Sequence, residues 1–151
     1  VIEWRERMLN VIIRLRSIPI LGLISKVILV VIGLYIPDSV HIGKNVTFVH
    51  NGVGTVLHPD TKLCDNVKIY QNVTLGRADI YNSYEDSKMK SIIVEDGAII
   101  CAGAKVICKS GTLTVGKNSI VGANSVLNKS IGKNEVWAGN PAKFIRYRKG
   151  V

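Results

Sequence analysis

The chain has 151 residues and a formal net charge of +9 at pH 7. Apolar residues make up 47% of it and aromatic residues only 6%, which suits one domain with a core of stacked valine and isoleucine side chains. The charge favours anionic partners, but the basic residues are spread along the chain and accompany no nucleic-acid motif, so nucleic-acid binding is not expected.

The first 35 residues predict a helical N-terminal segment. Residues 1–16 combine apolar side chains with four arginines, as in an amphipathic helix with a basic face. Because the chain begins with Val1 rather than Met, a missing upstream segment stays an open alternative.

Residues 18–36 are almost wholly apolar, and two interpretations compete for them. Their length suits a bilayer core, but Lys26 near the middle would be costly there. We favour a helix that caps the open end of the following domain. The open alternative is shallow contact of residues 1–36 with the inner face of the membrane by an otherwise cytoplasmic protein.

A six-residue phrase recurs between residues 36 and 146. An aliphatic residue is followed by a small one, then by two positions at which the residue type varies, and then by a small or apolar residue. This period is typical of a parallel β-helix, in which each repeat forms one flat side of a coil. The aliphatic residue and the residue four positions later should face the core, and the glycine after the aliphatic should give a corner an unusual backbone. The alternative fold is a sandwich of short strands, which would not keep a six-residue period across its turns. The clearest copies are residues 42–47, 63–68, 69–74, 100–105, 115–120 and 121–126.

Two larger breaks interrupt the phrase, and functional residues are expected at such breaks. The stretch FVHNGVGT at residues 48–55 contains His50. A polar loop with two tyrosines is inserted at residues 77–91. The predicted organisation is an N-terminal segment at 1–35, the β-helix domain at 36–146 with this loop, and a basic tail at 147–151.

The three cysteines and the histidines have modest interpretations. Cys64, Cys101 and Cys108 form no CxxC pair, so structural thiols of a reduced protein are preferred over a nucleophile. His41 and His58 are interpreted as surface residues, and no metal site is expected from the histidine spacings.

From residue 36 to about 146 the chain resembles the hexapeptide-repeat acyltransferases. AGNPAK at residues 138–143 resembles the closing motif of that superfamily, and residues 48–76 resemble its serine acetyltransferase branch. The resemblance implies a left-handed parallel β-helix, a homotrimer with active sites between subunits, and acetyl-CoA as the acetyl donor.

The resemblance also implies roles for individual residues. His50 aligns with the catalytic histidine of the branch, and a neutral imidazole is a suitable base for a hydroxyl at neutral pH. Residues implied to contact acetyl-CoA along its pantetheine arm or its phosphates are Ala102, Gly103, Ala123, Asn128, Lys129, Lys143 and Arg146.

Departures from the branch affect the acceptor site. Tyr35 and Ser91 stand near the positions where the branch carries an aspartate and a histidine tied to serine binding, and its large helical domain is not found in these residues. The sequence therefore predicts an acetyl-CoA-dependent O-acetyltransferase that acts on a sugar or a surface polysaccharide precursor. Serine O-acetylation and a non-catalytic β-helix scaffold are the alternatives.

Overall fold

The computed structural model describes residues 2–150, and side chains from residue 4 to residue 150. This part of the chain is mainly β, with two helices before the strands, α1 (Ile2–Leu15) and α2 (Leu21–Val31). The strands are β1 His41–Ile42, β2 Thr47–Phe48, β3 Val56–Leu57, β4 Thr61–Leu63, β5 Lys68–Ile69, β6 Thr74–Arg77, β7 Met89–Val94, β8 Ile99–Ile100, β9 Lys105–Cys108, β10 Gly111–Val115, β11 Ile120–Val121, β12 Val126–Leu127, β13 Glu135–Gly139 and β14 Ala142–Tyr147.

Successive strands occupy three sheets in turn. Sheet I has the order β1-β4-β7-β10, sheet II β2-β5-β8-β11-β13-β14, and sheet III β3-β6-β9-β12. From β1 to β12, each strand pairs in parallel with the strand three places further along the chain, and β13 and β14 form an antiparallel hairpin at the end of sheet II. The predicted mainly-β class and its parallel pairing are confirmed.

The six-residue phrase places its side chains as predicted. Leu63 and Ile69 are fully buried, and so are the residues four positions later, Val67 and Val73. In the last repeats the second inward position holds serine, and the Ser119 hydroxyl donates to the Gly116 carbonyl at 2.6 Å. Because this hydroxyl is hydrogen-bonded, its burial carries little penalty.

The corners differ from the expectation for glycine. The left-handed residue is not the glycine after the aliphatic but an asparagine two positions further on, as at Asn45 with φ 53°. Gly43 is required for another reason: a Cβ there would lie 2.7 Å from the Cys64 carbonyl carbon of the next coil. Asparagine tolerates the left-handed region better than other side chains. It repeats at Asn45, Asn66, Asn72, Asn118, Asn124 and Asn134.

The two helices lie at the first coil. Helix α1 packs on β2 and on the turn that follows it, and buries Leu9 and Ile13. Helix α2 packs on α1 through a narrow stripe of Gly22, Ser25 and Leu29, and the Ser25 hydroxyl donates to the Ile12 carbonyl. No helix within residues 2–150 has both the length and the apolarity needed to cross a membrane.

The inserted loop and the C-terminal end have definite limits. Strand β6 ends at Arg77 and β7 begins at Met89, so residues 78–88 form the loop between them. Strand β14 continues to Tyr147. The division of the chain at 35 and 146 stays a prediction.

Candidate functional site

His50 lies in the turn between β2 and β3, where the six-residue phase breaks. The turn spans Val49–Gly52, and both His50 (φ 54°, ψ 39°) and Asn51 (φ 59°, ψ 14°) have left-handed backbone. Two successive non-glycine residues in this region are uncommon, and residues in sparsely populated backbone regions cluster at functional sites. The His50 side chain is exposed, with the Tyr70 ring edge-on at a centroid distance of 6.2 Å. The turn therefore presents the imidazole outside the coil wall.

The turn of His50 is the first in a column of turns at the corner between sheets II and III. Each turn is joined to the next by a backbone hydrogen bond. The Asn72 N–H donates to the Val53 carbonyl at 2.8 Å. In the following turns the Gly103 N–H donates to the Gln71 carbonyl at 3.0 Å, and the Asn124 N–H donates to the Ala102 carbonyl at 2.9 Å. Ala102, Gly103 and Ala123 therefore share one corner with His50.

The column ends at the C-terminal hairpin. The N–H of Gly139 donates to the Ser125 hydroxyl at 3.0 Å, which places the hairpin turn at the same corner. From β2 to β13 the corner crosses four strand-to-strand steps, or about 19 Å at the usual strand spacing. Lys143 and Arg146 are exposed on β14 of this hairpin. Lys143 lies beside the hairpin turn, whereas Arg146 lies three residues further along β14. The corner thus runs from an imidazole to Lys143.

Small residues leave the backbone of this corner accessible. Ala102 and Gly103 are half-buried and Ala123 is exposed. Gly103 has φ 72°, and a Cβ there would collide with the Asn124 amide oxygen of the next turn. Because no long side chain rises at these three positions, an extended ligand can approach the backbone closely.

Asn128 and Lys129 lie elsewhere. They follow β12, at the corner between sheets III and I, because Ile131 next bridges to Val115 of β10. The Lys129 ammonium lies 4.8 Å from the centroid of the Trp137 ring, a cation–π distance. Within one chain the structure does not bring these two residues to the corner of His50.

Tyr35 and Ser91 are also apart from each other. Tyr35 is exposed and bridges to Val56 of β3, whereas Ser91 lies on β7 of sheet I with its hydroxyl 3.0 Å from that of Thr112. The structure therefore places the two departures from the serine acetyltransferase branch on different sheets.

The cysteines are placed as structural thiols. Burial raises the pKa of Cys101, and burial is also the main cause of the raised pKa of Cys64 and Cys108. A raised pKa reduces the thiolate fraction and with it the nucleophilicity. Within residues 4–150 no group of three or more histidine, cysteine or acidic side chains is placed to hold a metal ion.

The interpretation of His58 as a surface residue is wrong. Its side chain is only 12% exposed, because Tyr84 of the inserted loop stacks on the ring at 5.9 Å with an interplanar angle of 12°. The Asp60 N–H donates to His58 Nδ1 at 3.2 Å, and the Tyr84 hydroxyl donates to the Asp60 carboxylate at 2.6 Å. No periodic signal in the sequence predicts this cluster, since Tyr84 belongs to the inserted loop and His58 and Asp60 lie outside it. His41 is exposed, as predicted.

Arg77 holds the inserted loop in its conformation. Its guanidinium donates to the carbonyls of Asp79 at 3.3 Å, Asn82 at 2.9 Å and Ser83 at 3.1 Å. The buried Asp79 carboxylate accepts from the Lys88 N–H at 2.9 Å, and this bond is the main cause of its lowered pKa. The loop is therefore a hydrogen-bonded structure that covers His58.

The covered imidazole predicts a loss of stability in acid. Burial is the main cause that lowers the pKa of His58 below its ordinary 6.5, with Asp60 opposing it. Above that value neither state gains a proton, but as the pH falls through it the unfolded chain is protonated first. We expect the free energy of unfolding to fall on acidification, with at most about 1.4 kcal/mol per pH unit from this residue.

Denaturant unfolding at a series of pH values checks this expectation. His58→Gln should flatten the dependence just below the ordinary histidine pKa, and His41→Gln, which alters an exposed histidine, should keep it. An unchanged slope in His58→Gln would show that another group is responsible.

Comparisons with known proteins point to one kind of enzyme. No family model matches the chain. A serine acetyltransferase of Bacillus pumilus (strain SAFR-032) is 30% identical over 142 residues, 94% of this chain and 61% of the relative. One of Staphylococcus aureus (strain Mu50 / ATCC 700699) is 32% identical over 114 residues, 76% of this chain and 49% of the relative. The chain thus spans about three fifths or less of the length of these relatives.

Solved structures show the same similarity. The serine acetyltransferase of Brucella abortus strain S19, in complex with coenzyme A, superposes with a TM-score of 0.64 at 29% identity, over 75% of this chain and 42% of that chain. A serine acetyltransferase in complex with cysteine gives a TM-score of 0.62 at 31% identity, over 74% of this chain and 40% of that one.

These comparisons overturn the expected acceptor. The similar proteins are named serine acetyltransferases, so the prediction of a sugar or polysaccharide acceptor, and with it a place in polysaccharide biosynthesis, is wrong. That prediction relied on Tyr35, on Ser91 and on the large helical domain of the branch, which is not found in these residues. Two substituted positions do not define an acceptor class, because a pocket can hold the same ligand with other polar groups.

Proposed function

We propose that this chain is an acetyl-CoA-dependent O-acetyltransferase with the hydroxyl of L-serine as acceptor. The observation that carries the proposal is the shared corner, where the displaced His50 stands in line with the small residues Ala102, Gly103 and Ala123. The similarity to serine acetyltransferases supports the choice of acceptor.

His50 acts as the general base in this proposal. Its neutral imidazole takes the proton of the serine hydroxyl while the oxygen attacks the thioester carbonyl carbon. The carbon–sulfur bond then breaks, and coenzyme A leaves as a thiolate that takes the proton from the imidazolium. Backbone N–H groups that meet the developing oxyanion would each contribute about 3–4 kcal/mol to lowering the barrier.

Acetyl-CoA lies along the corner between sheets II and III in this proposal. The pantetheine arm passes over Ala102, Gly103 and Ala123, and the phosphates meet Lys143 and Arg146 on the hairpin. The geometry supports this direction, because Lys143 lies at the end of the column opposite His50. Charge-assisted hydrogen bonds from these cations suit phosphate oxygens.

A left-handed parallel β-helix and a homotrimer complete the proposal. The six-residue phase and the rotation of strands through three sheets support the first. The exposure of His50 in one chain supports the second, because a neighbouring subunit against that corner would exclude water from the reaction. In this proposal Asn128 and Lys129 of one subunit contact the coenzyme A that is bound at the corner of a neighbouring subunit.

The acceptor is tested by following coenzyme A release from acetyl-CoA with L-serine. We expect saturable release and O-acetylserine as the product, with L-alanine, which lacks the hydroxyl, giving only background hydrolysis. Because Tyr35 and Ser91 stand near the positions where the branch carries residues tied to serine binding, we expect a high KM for serine. Acetylation of other hydroxyl compounds without any serine-dependent release would refute the choice of acceptor.

A further inference from the structure

The outer side of the two N-terminal helices is an extensive apolar surface. Helix α2 buries only Gly22, Ser25 and Leu29, and its remaining apolar side chains face outward. Leu23 is 70% exposed, Val30 68% and Val31 80%. A helix that is apolar on all sides normally has a second partner, and contiguous exposed apolar patches mark interaction sites.

Helix α1 extends this apolar surface on one side of α2. Trp4, Met8 and Val11 are more than half exposed, and their spacing of four and three residues puts them on one stripe. Trp4 and Met8 line a groove of about 250 Å³ together with Ile28 of α2. The stripe of α1 and the outer side of α2 therefore form one surface, which we call the N-terminal apolar surface.

Cations border the N-terminal apolar surface. Arg7 and Arg14 are exposed and share the edge of the α1 stripe with Val11, at a spacing of four and three residues. The Arg5 guanidinium lies 5.6 Å from the centroid of the Trp4 ring, at the rim of the groove. An apolar face edged by arginines, with tryptophan beside them, matches the acyl region and the anionic headgroups of a bilayer surface.

We propose that the N-terminal apolar surface docks on the surface of an anionic bilayer, with α1 and α2 lying in the plane of the interface. The 11 residues of α2 extend over about 17 Å, short of the roughly 30 Å of a hydrocarbon core, so the contact is shallow. A second copy is the alternative occupant, and the test below distinguishes it. This proposal is independent of the acetyl transfer.

Sedimentation of the full chain with vesicles tests the proposal. We expect binding to vesicles that contain phosphatidylglycerol, weak binding to pure phosphatidylcholine, and release at high salt. The combined substitution Leu23→Ser, Val27→Ser and Val31→Ser should abolish binding, because it removes apolar side chains from the face that enters the bilayer. Arg5→Gln, Arg7→Gln and Arg14→Gln together should weaken it roughly a hundredfold, at about fivefold for each arginine.

Matched variants on the coil serve as controls. Ile80→Ser with Tyr81→Ser removes equally exposed apolar side chains of the inserted loop, and Lys62→Gln with Lys90→Gln and Lys109→Gln removes three exposed cations. Both control variants should bind vesicles more strongly than their N-terminal counterparts.

Two outcomes would overturn the proposal. The first is a wild-type chain that stays in the supernatant with anionic vesicles. The second is a concentration-dependent assembly in light scattering that the Leu23, Val27 and Val31 substitutions dissolve, since a second copy would then cover the surface.

Discussion

Replacing His50 with asparagine is expected to lower kcat for acetyl transfer by about a thousandfold, within the 10²–10⁴ range of general-base catalysis. Asparagine accepts the left-handed backbone of this turn (φ 54°) but cannot take up the proton of the acceptor hydroxyl. The exposed side chain makes no packing contribution to the core, so the fold should be retained. Coenzyme A release under saturating substrates measures the loss.

Two readouts separate a catalytic role from a structural one. Coenzyme A at about a hundred times its Kd should stabilise wild type and His50→Asn equally, by about 2.7 kcal/mol, because the base is not needed for cofactor binding. The matched variant His41→Asn changes an exposed histidine on β1 and should keep full activity. Near-normal turnover in His50→Asn would remove His50 from the mechanism.

Replacing Phe48 with alanine is expected to destabilise the chain by about 3–5 kcal/mol, the usual cost of truncating a buried phenylalanine. Phe48 is fully buried on β2 and is among the largest fully buried side chains of the chain. The surroundings of Phe48 are closely packed. A Cβ added at Gly52 would lie 3.1 Å from the Phe48 ring and 3.3 Å from a methyl group of Leu34. The cavity would open where α1 meets the first coil, at a site that cannot collapse easily. Denaturant unfolding measures the change.

The chain contains its own control for this substitution. Phe144, on β14, is 43% exposed and makes edge-to-face contacts with Trp137 and Tyr147. Phe144→Ala should therefore cost only about 1 kcal/mol. Equal losses in the two variants would contradict a first coil stabilised by packing on the helices.

The coil was predictable from the sequence because its signal is local. An aliphatic residue such as Ile69 and the residue four positions later, Val73, face inward in every repeat, so the phase is visible without any distant contact. The corner chemistry was misassigned, since the close approach of Gly43 to Cys64 joins neighbouring coils and leaves no trace in a single repeat.

The candidate site was predictable in part. His50 stands out because the phase breaks around it, whereas Ala102 and Gly103 were implied only by the resemblance to the hexapeptide-repeat acyltransferases. His58 did not, because its cover by Tyr84 depends on how the inserted loop folds back over 26 residues of chain, with Arg77 holding the loop carbonyls.

The sequence by itself determined the stacking of parallel strands, because a six-residue period of inward side chains is the signature of that arrangement. Only the tertiary structure decided which turns meet. His50 lies at one corner with the small residues Ala102, Gly103 and Ala123. Asn128 and Lys129 lie at another corner. The inserted loop covers His58. The tertiary structure also left α2 with one buried stripe, because α1 offers a single helix face for packing. These outcomes depend on contacts between residues far apart in the chain, which a local period does not encode.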